Sequence, residues 1–252
     1  KTKAIVPVHL FGQCADMEEL LEFAQNNGLF VVEDTAQAIG ARYFFSNGSE
    51  KYAGTIGDVG TTSFFPSKNL GCFGDGGALF TNNDELAGKL RIIANHGQSK
   101  KYYHDEIGVN SRLDTIQAAI LRAKLPHLQG YCDSRSASAK YYDKALSECP
   151  SLHIPHRNSK STHVFHQYTL RIQNPFNRDD LKVFLAEKGI PSMIYYPLPL
   201  HLQKAYMQWN TRGEDFPVSV QLCGEVLSLP MHTELTEDQL SYITSALLDF
   251  FN

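Results

Sequence analysis

The order of apolar and polar positions along the chain predicts alternating strands and helices. Residues 4–10 are mostly apolar and read as a buried strand. Asp16, followed by Glu19, has the form of a helix start with the aspartate as cap. Leu20, Leu21, Phe23 and Ala24 recur at helical spacing, and Gly28 supplies the stop. Residues 29–33 read as the next strand. Strand, helix and strand within about 30 residues make a βαβ unit and imply a parallel sheet. Asp34 falls just past the carboxyl end of the second strand, the edge at which open α/β sheets bind ligands.

Residues 61–65 and 77–81 read as further short strands, separated by the loop Gly71-Cys72-Phe73-Gly74-Asp75-Gly76-Gly77. Helices are predicted over 84–95, 114–125 and 134–147, with Pro126 ending or kinking the second. This helical stretch reads as a bridge between domains. A second region starts near Pro150. Residues 163–172 alternate like a strand, 178–188 are helical with Gly189 as the stop, and 190–196 form a strand. Residues 236–251 close the chain as a helix capped by Thr236. The expected division is 1–130 as part of a large α/β domain, and 131–252 as an interdomain helix with a small C-terminal α+β domain.

Composition narrows the function classes. With 252 residues, 42% hydrophobic and 20% charged, the chain has globular usage and enough length for one large domain or two small ones. Net charge is −4 and no basic cluster builds a patch, so nucleic acid is not an expected partner. No apolar run approaches the roughly 20 residues of a membrane span. The five cysteines are scattered, odd in number and without CxxC spacing, which reads as reduced thiols in the cytoplasm. Cys72 stands out for its closeness to Lys68. The chain opens at Lys1 without a signal peptide, already entering a strand, and is read as part of a longer protein.

The candidate chemistry centres on Lys68, in Thr62-Ser63-Phe64-Phe65-Pro66-Ser67-Lys68-Asn69-Leu70-Gly71. A lysine among aromatic and apolar neighbours is disfavoured as ammonium, and such lysines form Schiff bases with carbonyl compounds. An acid at a strand end, here Asp34, is what pyridoxal phosphate needs opposite its ring nitrogen. Ala36 and Gln37 lie on the turn after that strand, and Gln37 is placed to bond a ring hydroxyl. The hydroxyl of Ser63, five residues before the lysine, is a candidate phosphate ligand. Each has a plainer reading, as a helix cap, a solvated loop lysine or an ordinary serine; the combination points to pyridoxal phosphate. The glycine loop lacks the Gly-Lys-Ser/Thr ending of a nucleotide P-loop. His153, His156, His163 and His166 form two HxxH pairs, and a zinc module is a rival reading. Pro155 splits the first pair, and the strand-like run of the second would send its histidines to opposite faces.

With these residues in hand, the chain resembles the DegT/DnrJ/EryC1/StrS family. The likeness is carried by Val6-Pro7-Val8-His9-Leu10-Phe11-Gly12-Gln13, Glu33-Asp34-Thr35-Ala36-Gln37-Ala38, Gly57-Asp58-Val59-Gly60 and Ser63-Phe64-Phe65-Pro66-Ser67-Lys68-Asn69-Leu70. It continues through Gly74-Asp75-Gly76-Gly77-Ala78, Gly108-Val109-Asn110-Ser111-Arg112-Leu113-Asp114 and Tyr196-Pro197-Leu198-Pro199-Leu200-His201. The resemblance implies the type I (aspartate aminotransferase) fold of pyridoxal phosphate-dependent transferases, with a mostly parallel sheet in the large domain. It implies amino transfer from an amino acid, glutamate foremost, to a nucleotide-linked keto-sugar, for polysaccharide or other amino-sugar biosynthesis. It gives Lys68 the covalent attachment of the cofactor, Asp34 the ring nitrogen, Gln37 the 3-hydroxyl and Ser63 the phosphate, with Ala36 beside them. Asn110 is implied to reach the cofactor phosphate of a neighbouring subunit, and Arg112 the incoming carboxylate or sugar. His166, Tyr195 and Tyr196 are implied on the substrate side, and a homodimer with shared active sites follows. Family members with histidine for the lysine are dehydratases; Lys68 favours transamination. Ser192-Met193-Ile194-Tyr195-Tyr196-Pro197 departs from the relatives' Thr-Arg-Val-His-Tyr-Pro, which leaves the sugar open. Relatives also carry a further segment before the first strand, so a non-catalytic dimerising scaffold stays as an alternative.

Overall fold

Two units divide the chain, of which this computed structural model describes residues 1–251. The first comprises Lys1–Asp133 and Arg157–His166; the second comprises Ser134–His156 and the chain from Gln167 onward. The sequence expectation had assigned 157–166 to the second region. Backbone and side-chain hydrogen bonds tie that segment to the first unit: Val164 N–H donates to Gly12 O, Cys14 N–H to Ser161 Oγ, and Asn69 Nδ2 to Val164 O.

The first unit begins with β1 (Ala4–Ile5), α1 (Met17–Asn27) and β2 (Phe30–Asp34). The hairpin β3 (Arg42–Phe44) and β4 (Glu50–Tyr52) follows, then β5 (Val59–Ser63) and β6 (Gly77–Phe80). Next come α2 (Asp84–Ala94), the hairpin β7 (Gln98–Lys100) and β8 (Tyr103–His104), and α3 (Thr115–Lys124). The main sheet has the order β1-β2-β5-β6, parallel from β1 to β5 with β6 antiparallel. Asp34 is the last residue of β2 and Ser63 the last of β5. The register Asp34↔Thr61 puts both at the carboxyl edge of neighbouring parallel strands.

Gly28 ends α1 at φ 62°, a left-handed conformation that costs glycine nothing. Asp16 is the cap residue of α1, but its carboxylate accepts from Asn158 Nδ2 rather than from the helix. The strand expected over 4–10 stops at Ile5, and Val6 and Val8 are exposed. Pro7 has no N–H to continue the ladder, and pairing resumes only at the single bridge Val8↔Asp34. Behind the sheet, Met17 and Ala24 of α1 pack with Val31, Ala38, Ala41, Tyr43 and Ile56. Burial of side chains the size of Met17 or Val31 stabilises by roughly 1.5–3 kcal/mol each.

Helix α4 (Leu128–Leu146) starts earlier than expected, directly after a 3-10 turn at Leu125–His127 that accommodates Pro126. The second unit adds β9 (Leu152–His153), β10 (Tyr168–Ile172), α5 (Arg178–Glu187), α6 (Pro217–Glu225), β11 (Val226–Leu229) and α7 (Glu237–Phe251). Its sheet is antiparallel, in the order β11-β10-β9. Leu170, Leu181, Leu185, Leu227 and Leu247 fill the core between sheet and helices. At α7, Thr236 Oγ1 accepts from Gln239 N–H while the Gln239 side chain accepts from Thr236 N–H, a capping box. The strand expected over 163–172 begins only at Tyr168, because Phe165 takes φ 46° and the residues before it bond the first unit. The strand expected over 190–196 is reduced to one bridge, Met193↔Ser228. Pro191 and Pro197, which cannot donate, bracket it.

Candidate functional site

At the carboxyl edge of β2 and β5 the first unit gathers Asp34, Ala36, Gln37, Ser63 and Lys68. The backbone of Asp34 is held on both sides: its N–H donates to Pro7 O at 2.9 Å, and its carbonyl accepts from His9 N–H at 3.0 Å. Its carboxylate Oδ1 accepts from Ala36 N–H at 3.0 Å, which fixes the side chain over the turn. Gln37 Oε1 accepts from Phe11 N–H at 2.6 Å, so the amide Nε2 is the donor end of that side chain. Phe11 presents this N–H from a left-handed conformation, φ 59°.

Lys68 sits in a turn closed by its own N–H donating to Phe65 O at 2.9 Å. Phe64, Leu70, Cys72 and Leu121 pack beneath the loop. Burial pushes the Lys68 ammonium below the usual lysine range, and the negative charge of Asp34 opposes that shift. Lys68 and Asp34 are therefore electrostatic neighbours, and the amine is more available as a nucleophile than a solvated lysine. Ser63 Oγ accepts from Phe65 N–H at 3.2 Å, leaving its hydroxyl proton to donate. Asn69 Oδ1, beside Lys68 in sequence, is buried without a hydrogen-bond partner among the described residues.

The glycine loop earns its composition at Gly71, where an added Cβ would stand 2.4 Å from Pro66 O and 2.8 Å from Phe65 O. Both are backbone atoms of the Lys68 turn and cannot rotate away. Gly71→Ala is expected to lower stability by about 1–3 kcal/mol, the usual penalty of overpacking. A melting curve tests this; an unchanged midpoint would contradict the close approach. Cys72 is buried, with Sγ against Phe64 O at 3.0 Å and Gly74 O at 3.1 Å, which pins the far side of the loop.

Sequence reasoning did not single out the groups under Asp34. Glu33, on the opposite face of β2, is fully buried and accepts four hydrogen bonds. Its Oε2 takes His9 Nε2 at 2.9 Å and Gly54 N–H at 2.8 Å; its Oε1 takes Ile56 N–H at 2.6 Å and Gly57 N–H at 2.7 Å. Burial alone would raise the Glu33 carboxyl, but His9 and the three backbone donors outweigh it and hold it below the usual range. A lowered folded pKa stabilises fully above the ordinary value of 4.5, and the contribution is lost as pH falls through the lower folded value. Glu33→Gln replaces one accepting oxygen by an NH2 that accepts nothing and leaves buried donors unsatisfied. It is expected to cost about 2–4 kcal/mol at neutral pH and to flatten the acid limb of stability against pH. Thermal melts across pH 3–7 test this, and a wild-type acid limb in the variant would contradict it. The only sequence signal for the pair was a histidine and a glutamate in neighbouring strand segments.

Asn110 and Arg112 are exposed and lie elsewhere in the unit. With Thr61, Thr62, Asp75 and Gly76 they line an open cavity of about 1010 Å³, whose wall does not include Lys68, Asp34, Gln37 or Ser63. Asn110 pairs with Asn95 as a backbone bridge. His166 is buried at the end of the segment that returns to the first unit. Tyr195 and Tyr196 belong to the second unit, with ring centroids 5.5 Å apart in an edge-on arrangement. Of the remaining histidines, His163 is stacked on Phe165 at 3.7 Å, and burial plus the Arg157 charge hold it down to about 3. Among the described residues, no group of three or more histidines, cysteines or acids could hold a metal ion. No helix among them is long and apolar enough to cross a membrane.

Fold and site together define an α/β protein with a part-buried lysine within electrostatic reach of a strand-end carboxylate, at the carboxyl edge of the parallel strands of a mixed sheet. The profile of the DegT/DnrJ/EryC1/StrS aminotransferase family matches residues 1–248, and the chain belongs to that family. It is 48% identical over 253 residues to a pleiotropic regulatory protein of Geobacillus stearothermophilus, covering 100% of this chain and 66% of the relative. It is 46% identical over 247 residues to the UDP-N-acetyl-3-dehydro-alpha-D-glucosamine 3-aminotransferase of Acidithiobacillus ferrooxidans, covering 98% and 64%. Among solved structures, that of S. venezuelae DesV in complex with a ketimine intermediate superposes with a TM-score of 0.92 at 40% identity. That match covers 100% of this chain and 66% of the other. The fold is therefore that of this aminotransferase family, and the chain spans 64 to 66% of the length of these three proteins.

Proposed function

We propose that the chain carries the lysine-bearing site of a pyridoxal phosphate-dependent aminotransferase that moves an amino group from an amino acid, glutamate foremost, to a nucleotide-linked keto-sugar. The observation that carries this reading is Lys68, a part-buried amine whose proton affinity is lowered by burial, in the loop after β5 and within electrostatic reach of Asp34 at the end of neighbouring β2. The donor set suits the cofactor. Asp34 offers a fixed anion for a ring N–H, Gln37 an amide donor for a ring oxygen, and Ser63 a hydroxyl for phosphate. The orphaned Asn69 Oδ1 shows that the loop holds unspent polarity. When bound, the cofactor withdraws electrons through its protonated ring and so acidifies the C–H beside the substrate nitrogen.

The chain's own residues do the rest. Lys68 would hold the cofactor through Nζ and, when displaced by the amino donor, would take a proton from the substrate carbon and return it one position away. Asp34 would keep the ring nitrogen protonated. Ala36 would lie beside the ring, with its N–H keeping the Asp34 carboxylate in place. Arg112, His166, Tyr195 and Tyr196 are proposed on the substrate side. Asn110 is proposed to serve the cofactor phosphate of a second copy in a homodimer; it lines a cavity whose wall does not include Lys68, which suits a role in a neighbouring copy's site. Residues 1–130 would form part of the cofactor domain and 131–252 the interdomain helix and small domain. A cytoplasmic location and a role in polysaccharide amino-sugar synthesis complete the reading.

Half-reaction spectroscopy tests it. Glutamate should abolish the visible band of the cofactor-loaded protein, and one member of a panel of UDP- and dTDP-linked keto-sugars should restore it. A band indifferent to every amino donor and sugar would contradict the reading. The second reading, a non-catalytic regulatory scaffold, is favoured by the name of the 48% identical relative. It predicts cofactor uptake without turnover.

A further inference from the structure

We propose that the buried His9–Glu33 pair is a positioning device that holds both ring-contacting residues, Asp34 and Gln37, in place through the Pro7–Gly12 segment. The inference rests on the reading of Asp34 and Gln37 given above and adds two residues to it.

Ala15 N–H donates to His9 Nδ1 at 3.1 Å, so Nδ1 is bare and Nε2 carries the proton that goes to Glu33. His9 is a neutral imidazole clamped at both nitrogens, and neither partner of the pair is exposed to solvent. With its ring fixed, its backbone is fixed as well. His9 N–H is the group that bonds Asp34 O, and Pro7 O, two residues earlier, takes Asp34 N–H. The same ring anchors the start of the Leu10–Gly12 turn, whose Phe11 N–H holds Gln37 Oε1. One side chain therefore supports both contacts: Asp34 through the bridge at Val8, and Gln37 through Phe11. Glu33 supplies the fixed point. Its three backbone bonds to Gly54, Ile56 and Gly57 tie the pair to the segment entering β5, the strand that carries Ser63.

Alternation along β2 explains why the support is invisible from the site. Glu33 and Asp34 are consecutive and point to opposite faces, so the pair works from beneath the sheet and touches neither cofactor nor substrate. His9 and Glu33 are positioning residues, not catalytic ones.

The test uses His9→Ala and His9→Gln, with two readouts. The first is amide hydrogen exchange on the cofactor-free protein. His9→Ala should lower protection of the Asp34, Phe11 and Gly54 amides by about tenfold or more, the scale of one lost buried hydrogen bond, relative to amides of the β10–β11 pair. The second is the affinity for pyridoxal phosphate and the visible circular dichroism of the bound cofactor, which reports ring orientation. The Kd should rise about tenfold and the dichroism should weaken. Glutamine carries an NH2 to donate and a carbonyl oxygen to accept, so His9→Gln should recover both readouts to within roughly threefold. Should His9→Ala fail to fold, His9→Asn, too short to span both contacts, takes its place with the same expectations. Unchanged protection at Asp34 and Phe11 would overturn the inference. So would lowered protection accompanied by wild-type Kd and dichroism, which would leave the pair a purely structural element. A wild-type protein that takes up no pyridoxal phosphate overturns the function reading and this inference with it; that failure is recognisable because it precedes any substitution.

Discussion

Lys68→Ala should abolish the visible absorbance of the cofactor-loaded protein and lower amino transfer by roughly 10⁴-fold, the upper range for loss of a positioned proton-transfer group. The size of the effect follows from the two tasks given to one nitrogen. Nζ holds the cofactor and, once displaced, carries the proton between substrate carbon and cofactor. No second amine can take over, because the Lys68 turn is fixed by its bond to Phe65 O and by the packing of Phe64 and Leu70 beneath it. The fold should tolerate the change, since among the described residues Lys68 makes no ion pair closer than 4 Å and its burial disfavours the charged form. Steady-state rates with glutamate and an absorbance spectrum decide the matter. Retained turnover would remove Lys68 from its role.

Asp34→Asn is the second large effect, expected at roughly 100-fold on the rate, the scale of one lost preorganised electrostatic contact. A neutral amide cannot balance a protonated ring nitrogen, though it keeps the shape and can still accept from Ala36 N–H. The substitution also acts on Lys68. The Asp34 charge raises the Lys68 pKa against the lowering due to burial. Its removal should therefore move the amine further down, and Lys68 in the cofactor-free variant should react with amine-specific reagents at lower pH than in the wild type. Near-normal rates, or a labelling profile moved to higher pH, would count against the pairing of these two groups.

These predictions rest on features that were unevenly legible in the sequence. The βαβ start was readable because Leu20, Leu21 and Ala24 repeat at helical spacing and Gly28 stops the helix. The position of Asp34 at a strand end followed directly. The strand over 4–10 was overread because apolar residues alone do not make a ladder: Pro7 cannot donate, and Val6 and Val8 face outward. The same error recurred at 190–196, where proline again interrupts pairing. The return of residues 157–166 to the first unit had no local signal, since it depends on bonds such as Asn69 to Val164 across long sequence separation. His9 and Glu33 were hidden for the same reason. Their partnership exists only once β2 is paired with the segment around Val8, and a histidine and a glutamate 24 positions apart carry no periodicity. Lys68, Gln37 and Ser63, by contrast, could be nominated from residue chemistry, because amine, amide and hydroxyl near a strand-end acid have few joint uses.

The central claim is that Lys68 is the residue that binds pyridoxal phosphate. Borohydride reduction of the cofactor-loaded protein, followed by peptide mass spectrometry, tests it most directly. The account predicts a single pyridoxyl adduct on the peptide containing Lys68, absent from Lys68→Ala. An adduct confined to another lysine, or none at saturating cofactor, would contradict it.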